Sequence, residues 1–168
     1  MELGELRQET LKIFGASDTS ELGQALKDCL IANDVEKLQA FSDMVDGDLS
    51  RDWLQMIYQY DAADRKEKKQ DFTPANLGAF MSSLAGDAGV MIDMCAGSGA
   101  LTIQRWNQNH EQRFILYEVD QNVISYLLFN LVLRNIEAQV YLADVLIDET
   151  IYFWLVRKGE KYGKVTGI

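Results

Sequence analysis

The chain has 168 residues, a formal net charge of −10, 48% hydrophobic residues, two cysteines and a single proline, Pro74. That length and composition fit one domain with a smaller helical appendage, and they exclude a disordered or proline-rich chain. No apolar run approaches the roughly 18 residues of a membrane span, and the acidic N-terminus lacks a basic, apolar leader pattern. Cys29 and Cys95 lie far apart in a cysteine-poor sequence, which fits free thiols in a reducing cytoplasm better than a disulfide framework. Residues 1–63 hold 13 acidic against 5 basic residues, and residues 64–168 hold 13 against 11. An acidic surface repels phosphate, so nonspecific nucleic-acid binding by this chain alone is disfavoured. The one basic cluster, Arg65-Lys66-Glu67-Lys68-Lys69, reads first as a solvated helix end and second as a phosphate or partner contact.

The first 70 residues read as helices. Leu3, Leu6, Leu11 and Phe14 fall near helical spacing, with a stop at Gly15-Ala16-Ser17-Asp18. Leu22, Ala25, Leu26, Cys29 and Leu30 make an i, i+3, i+4, i+7, i+8 stripe that ends near Asn33-Asp34. A third helix runs from about Val35 to Val45 and closes at Asp46-Gly47. Ser50 is the expected cap of a fourth, with Trp53, Met56, Ile57 and Tyr60 on one face and the basic cluster at its end. Cys29 reads as core, since no second Cys or His accompanies it. Trp53, Tyr58 and Tyr60 read as packing.

From Thr73 the pattern changes. Thr73 suits a helix cap and Pro74 a first helical residue, with Leu77, Phe80, Met81 and Leu84 forming an apolar face up to Gly86. Strands are then expected at Val90–Asp93, Phe114–Glu118 and Gln139–Asp144, alternating with helices over about Ala100–Gln108 and Asn122–Arg134. Such alternation argues for βαβ units and a parallel sheet whose strand ends share one edge, where ligands of open α/β sheets bind.

Three acids, Asp93, Glu118 and Asp144, end the three expected strands, and Gly97-Ser98-Gly99 follows the first. Glycines allow a tight turn and close approach of backbone to a ligand. An acid after the second strand can accept from both hydroxyls of a ribose, and Asp144 from an exocyclic amine. Thr102 stands where a dinucleotide fingerprint needs its third glycine, and no phosphate-binding lysine pattern occurs. Asp93 would repel a pyrophosphate but suits a cationic amine. These features favour S-adenosylmethionine over NAD or ATP. The plainer alternative is that acids and glycines end strands because they favour turns.

Asp71-Phe72-Thr73-Pro74, Asp93-Met94-Cys95-Ala96-Gly97-Ser98-Gly99-Ala100-Leu101, Tyr117-Glu118-Val119-Asp120 and Ala143-Asp144-Val145-Leu146 form an ordered set that resembles the N6-adenine DNA methyltransferases. The likeness is greatest to methylation subunits of type I restriction-modification systems and related N-6 DNA methylases of mobile elements. It spans about Trp53 to Leu146. The resemblance implies a partial Rossmann-like class I methyltransferase sheet over residues 71–168, an incomplete domain preceded by a helical region over residues 1–70. It also implies S-adenosylmethionine as cofactor. Thr73 would bind the methionine carboxylate, and Asp93 with the backbone of Cys95, Ala96, Gly97, Ser98 and Gly99 would wrap the amino-acid part. Glu118 would hold the ribose, Val119 would lie on the adenine, Asp144 would accept from the adenine amine, and Val145 would supply a backbone amide. Cys95 is expected to be a small packing residue of the loop, not a nucleophile.

The chain departs from that pattern in one respect. The family's catalytic motif, Asn-Pro-Pro-aromatic or Asp-Pro-Pro-aromatic, follows the third acidic motif and holds a flipped base. A chain with one proline, placed at Pro74, cannot contain it. Residues 147–168 look too short for the remaining strands of that fold and for a target-recognition domain. Asn130 and Asn135 fall on or beside a helix and do not replace the motif, and His110 reads as a surface loop residue. Two readings follow. Either this is a short or split methyltransferase that reaches DNA and its catalytic half through a partner or specificity chain, or it is an inactive cofactor-binding or regulatory module. A small-molecule or protein methyltransferase is a weaker third.

Overall fold

The computed structural model describes residues 2–61, 89–147 and 149–167. The expected Thr73-Pro74 helix and the basic cluster lie outside them. Four helices come first: α1 (Leu3–Phe14), α2 (Thr19–Ala32), α3 (Val35–Met44) and α4 (Trp53–Asp61). α1 stops where Gly15 takes a left-handed conformation, and α2 stops at Asn33 in the same region, each returning N–H groups to the last carbonyls. Asp18 caps α2 by accepting from the Ser20 N–H, and Asp34 caps α3 by accepting from the Lys37 N–H. The fourth helix differs from expectation at its start. Ser50 turns back to Asp48, and the Asp52 carboxylate accepts from the Gln55 N–H at 2.9 Å. Leu54, absent from the expected face, is fully buried beside Ile57.

The remaining described chain builds a mixed sheet. Strands β1 (Val90–Asp93), β2 (Arg113–Glu118) and β3 (Ala138–Asp144) are parallel, joined through helices α5 (Ala100–Gln108) and α6 (Gln121–Leu133). The tail over 147–168 adds two strands to which the sequence pattern assigned no element. β4 (Glu149–Arg157) and β5 (Lys164–Thr166) extend the sheet antiparallel, in the order β1-β2-β3-β4-β5. Alternation in β4 explains it: Trp154 and Val156 are buried on the face shared with Val140 and Ala138. The β4–β5 turn is pinned by Asn135, whose amide accepts from the Gly159 N–H at 2.8 Å and donates to the Gly159 carbonyl at 3.1 Å. A side chain at Gly159 would meet the Tyr162 carbonyl, which accounts for the glycine.

α6 is apolar almost all round, with every residue from Tyr126 to Leu133 buried, as a central helix must be. It joins the helices and the sheet in one core. Phe129 lies edge-on to Phe14 at 5.2 Å and to Phe41 at 5.4 Å, and the same cluster continues through Leu116, Val140 and Trp154. The opposite face of the sheet carries a row of aromatic side chains. Tyr117 stacks on Tyr141 and Tyr141 lies against Phe153, both at 4.9 Å, while Ile92 is 57% exposed.

Candidate functional site

The parallel register staggers the three strand ends. Asp93 stands level with Leu116, two residues before Glu118, and Glu118 level with Leu142, two residues before Asp144. The acids thus step across one edge. Each caps its own turn: the Asp93 carboxylate accepts from the Cys95 N–H at 3.0 Å, and that of Asp144 from the Leu146 N–H at 2.9 Å. Glu118 does more. One oxygen accepts from the Val119 and Asp120 N–H groups at 2.9 and 2.8 Å, and the other from the Gly97 N–H at 2.7 Å. It therefore ties the glycine loop to the end of β2. A carboxylate has about four acceptor positions, so three engaged amides leave roughly one for a ligand hydroxyl.

The two glycines serve different ends. Gly97 has φ +55°, and a Cβ there would point into open space, the room a ligand needs for close approach. Gly99, at φ +97°, starts α5 hard against α6, where a Cβ would come within 3.0 Å of Leu127. Ala96 is buried and donates its N–H to the Tyr117 carbonyl at 2.9 Å. Cys95, expected to pack, is instead exposed, because Ala96 takes the inward position. Val145 is half-buried beside Asp144. Thr73 lies outside the described residues. His110 is exposed, with its ring against Trp106 at 4.3 Å, in keeping with a surface loop.

Exposed apolar side chains that sequence reasoning did not join surround the acids. Met94 follows β1, Val119 follows β2 and Leu146 follows β3, and they are 58%, 61% and 91% exposed. One large apolar residue beside each strand-end acid makes a rim on which an aromatic base or a thioether chain could lie. The signal was present in the sequence as an apolar residue one or two places after each acid. Asn130 was also missed: it is buried in α6 and donates to the Ser98 carbonyl of the loop at 2.9 Å. A separate groove between α2, the start of α6 and β4, lined by Lys27, Asn122, Leu142, Tyr152 and Trp154, includes none of the three acids. Among the described residues no cluster of metal-ligating side chains occurs. No described helix is long and apolar enough to cross a membrane.

Electrostatics distinguish the acids. Burial pushes the Asp93 carboxyl above the usual aspartate range, only partly offset by the Cys95 N–H. A partner cation would restore its charge, which suits the ammonium group of an amino-acid ligand. Acidification is therefore expected to weaken such a ligand as Asp93 protonates, at a pH where an ordinary aspartate is still charged. Folding responds with the opposite sign, since a raised folded pKa adds stability below the unfolded pKa and loses it as pH rises through the folded one. Calorimetric titration at pH 7.5 and 5.0, paired with Asp93→Asn, checks this; an affinity equally pH-dependent in the variant would remove Asp93 as the cause.

The thiols differ likewise. Burial, helped by Asp34, pushes the Cys29 thiol up to about 11, whereas Cys95 is exposed at the loop. Native protein should thus react with one equivalent of a thiol reagent and unfolded protein with two. Slower labelling in the presence of S-adenosylmethionine would place the ligand over Cys95, and equal rates would exclude it from that part of the loop.

Three parallel strands with helical crossovers, a glycine turn after the first and an acid after the second form a Rossmann-like open α/β sheet with its loops on one edge. The fold is similar to that of a protein from Listeria monocytogenes provisionally described as a class I S-adenosylmethionine-dependent methyltransferase, with a TM-score of 0.55, 17% identity, and coverage of 88% of this chain. The chain spans 57% of the length of that protein. Residues 47–156, more than half of the chain, match the model of the N-6 DNA methylase family, and the chain belongs to that family. No curated protein sequence matches it significantly.

Proposed function

We propose that this chain binds S-adenosylmethionine for adenine-N6 methylation of DNA, with the target-base site supplied by a partner chain. The observation that carries the reading is the Glu118 clamp, which joins the glycine loop to the end of β2, at the middle of the three strand-end acids. The residues suit the ligand's chemistry. Asp93 offers a carboxylate to the ammonium group, and Gly97 gives the methionine portion room beside the backbone. The remaining acceptor position of Glu118 is available to a ribose hydroxyl, Val119 and Leu146 present apolar surface to the adenine, and Asp144 offers an acceptor to its amine. When bound, the cofactor supplies an electrophilic methyl on a sulfonium; the chain's residues hold and orient it. A monocation also matches an acidic site better than the anionic NAD or ATP does.

The absence of any Pro-Pro dipeptide supports a base-binding motif outside these 168 residues, and the net charge of −10 supports DNA contact through a partner. Titration calorimetry with S-adenosylmethionine, NAD and ATP tests the cofactor. Binding of the first alone is expected, and no binding of it would sink the proposal. A methyl-transfer assay on adenine-containing DNA with the chain alone should give no turnover. Robust turnover would show that a partner is unnecessary.

A further inference from the structure

A buried polar network lies behind the glycine loop, in a place where apolar residues would fill the space. Asn130 is 1% exposed and sits between Phe129 and Leu131 in the most apolar of the described helices. Its Nδ2 donates both hydrogens, one to the Ser98 carbonyl and one to the Asp52 carboxylate, each at 2.9 Å. Its Oδ1 accepts from Arg134 Nη1 at 2.8 Å. Arg134 then reaches the chain before α4, donating to the Leu49 carbonyl at 2.8 Å and the Arg51 carbonyl at 2.6 Å. Segment 49–52, α6 and the middle residue of Gly97-Ser98-Gly99 are thereby fixed to one another.

The network is costly, which argues against a purely stabilising role. Burial pushes the Asp52 carboxyl up, and the Ser98 side chain beside it offsets this only in part; Asp52 Oδ2, Ser98 Oγ and Thr102 Oγ1 are all buried without a well-formed hydrogen bond among the described residues, in this region behind the loop. Buried polar groups kept at such a cost fix geometry better than they add stability. The geometry fixed here is that of Ser98, between the two glycines whose left-handed conformations shape the site.

We propose that Asn130 is a positioning residue for the cofactor site: by holding the Ser98 carbonyl it keeps the glycine loop in its binding conformation, and through Asp52 and Arg134 it couples that loop to the N-terminal helical region. This rests on the reading that the site takes S-adenosylmethionine. Asn130→Ala removes the donor to Ser98 and is expected to weaken S-adenosylmethionine roughly tenfold while the chain stays folded. Asp52→Asn keeps an acceptor for both Asn130 and Gln55 and should bind within about twofold of wild type. Asp52→Ala frees Asn130 from its second anchor and should weaken binding by an intermediate amount.

The measurements are calorimetry with S-adenosylmethionine and amide hydrogen exchange at Gly97 and Gly99, which should accelerate in Asn130→Ala and stay slow in Asp52→Asn. Unchanged affinity and exchange in folded Asn130→Ala would overturn the inference. Should that variant fail to fold, Asp52→Ala decides, and wild-type affinity there overturns it equally. Loss of binding by the wild-type chain is a different result, since it removes the cofactor reading itself.

Discussion

Replacement of Glu118 by alanine is expected to weaken S-adenosylmethionine at least about 30-fold, because it removes charge-assisted hydrogen bonds that each contribute roughly 1.5–3 kcal/mol. Two losses coincide. The ligand loses an acceptor, and Gly97 loses the carboxylate that ties its loop to β2. The Val119 and Asp120 N–H groups also lose their acceptor just before α6. Glu118→Gln separates these contributions. One oxygen can still serve Val119 and Asp120, but an amide NH2 then faces the Gly97 N–H. Glutamine should therefore keep the turn into α6 but lose the Gly97 tie, giving a thermal stability between those of wild type and alanine and losing most of the affinity. Calorimetry and thermal unfolding on both variants provide the check. Wild-type affinity in Glu118→Ala would show that the ligand does not use this carboxylate.

Replacement of Phe129 by alanine should cost about 3–5 kcal/mol of folding stability, the range for deleting a buried aromatic side chain. Against a typical total of roughly 5–15 kcal/mol that is a large fraction. The ring is fully buried and meets Phe14 of α1 and Phe41 of α3 edge-on, so it links the N-terminal helices to the sheet. Phe129→Leu, closer in volume, should cost much less. Urea unfolding followed by far-UV circular dichroism and by tryptophan fluorescence measures this. One shared transition, shifted to lower urea in Phe129→Ala, is expected from a continuous core. An unshifted midpoint would mean that the ring is not part of it.

The periodic parts of the fold were legible before any coordinates. Leu22, Leu26, Cys29 and Leu30 form one stripe and are all buried, and the three strand-end acids fall where alternation placed them. Local signals fix such elements because each depends on its own neighbours. What escaped depends on contacts distant in sequence. The tail forms β4 and β5 because Val132 accepts from the Gly163 N–H at 2.8 Å and Asn135 holds Gly159, contacts no local pattern announces. Asp52 displaced Ser50 as the helix cap because its carboxylate also meets Asn130, 78 residues away. Cys95 and Ala96 are both small, so which one turns inward was not readable from size. Glu118 was legible as an acceptor, but its grip on Gly97 requires β1 and β2 to lie side by side.

The order β1-β2-β3-β4-β5 carries a thermodynamic consequence. No described strand pairs with the outer edge of β1, and this short strand ends in Asp93 and leads into the glycine loop. A strand added at that edge by a partner would stiffen β1 and hold Asp93 in place. Cofactor and partner would then bias the same few residues, and linkage makes such an effect reciprocal. A partner that tightens S-adenosylmethionine tenfold must itself be bound tenfold more tightly by the cofactor-loaded chain. Donor concentration would thereby govern assembly as well as supply.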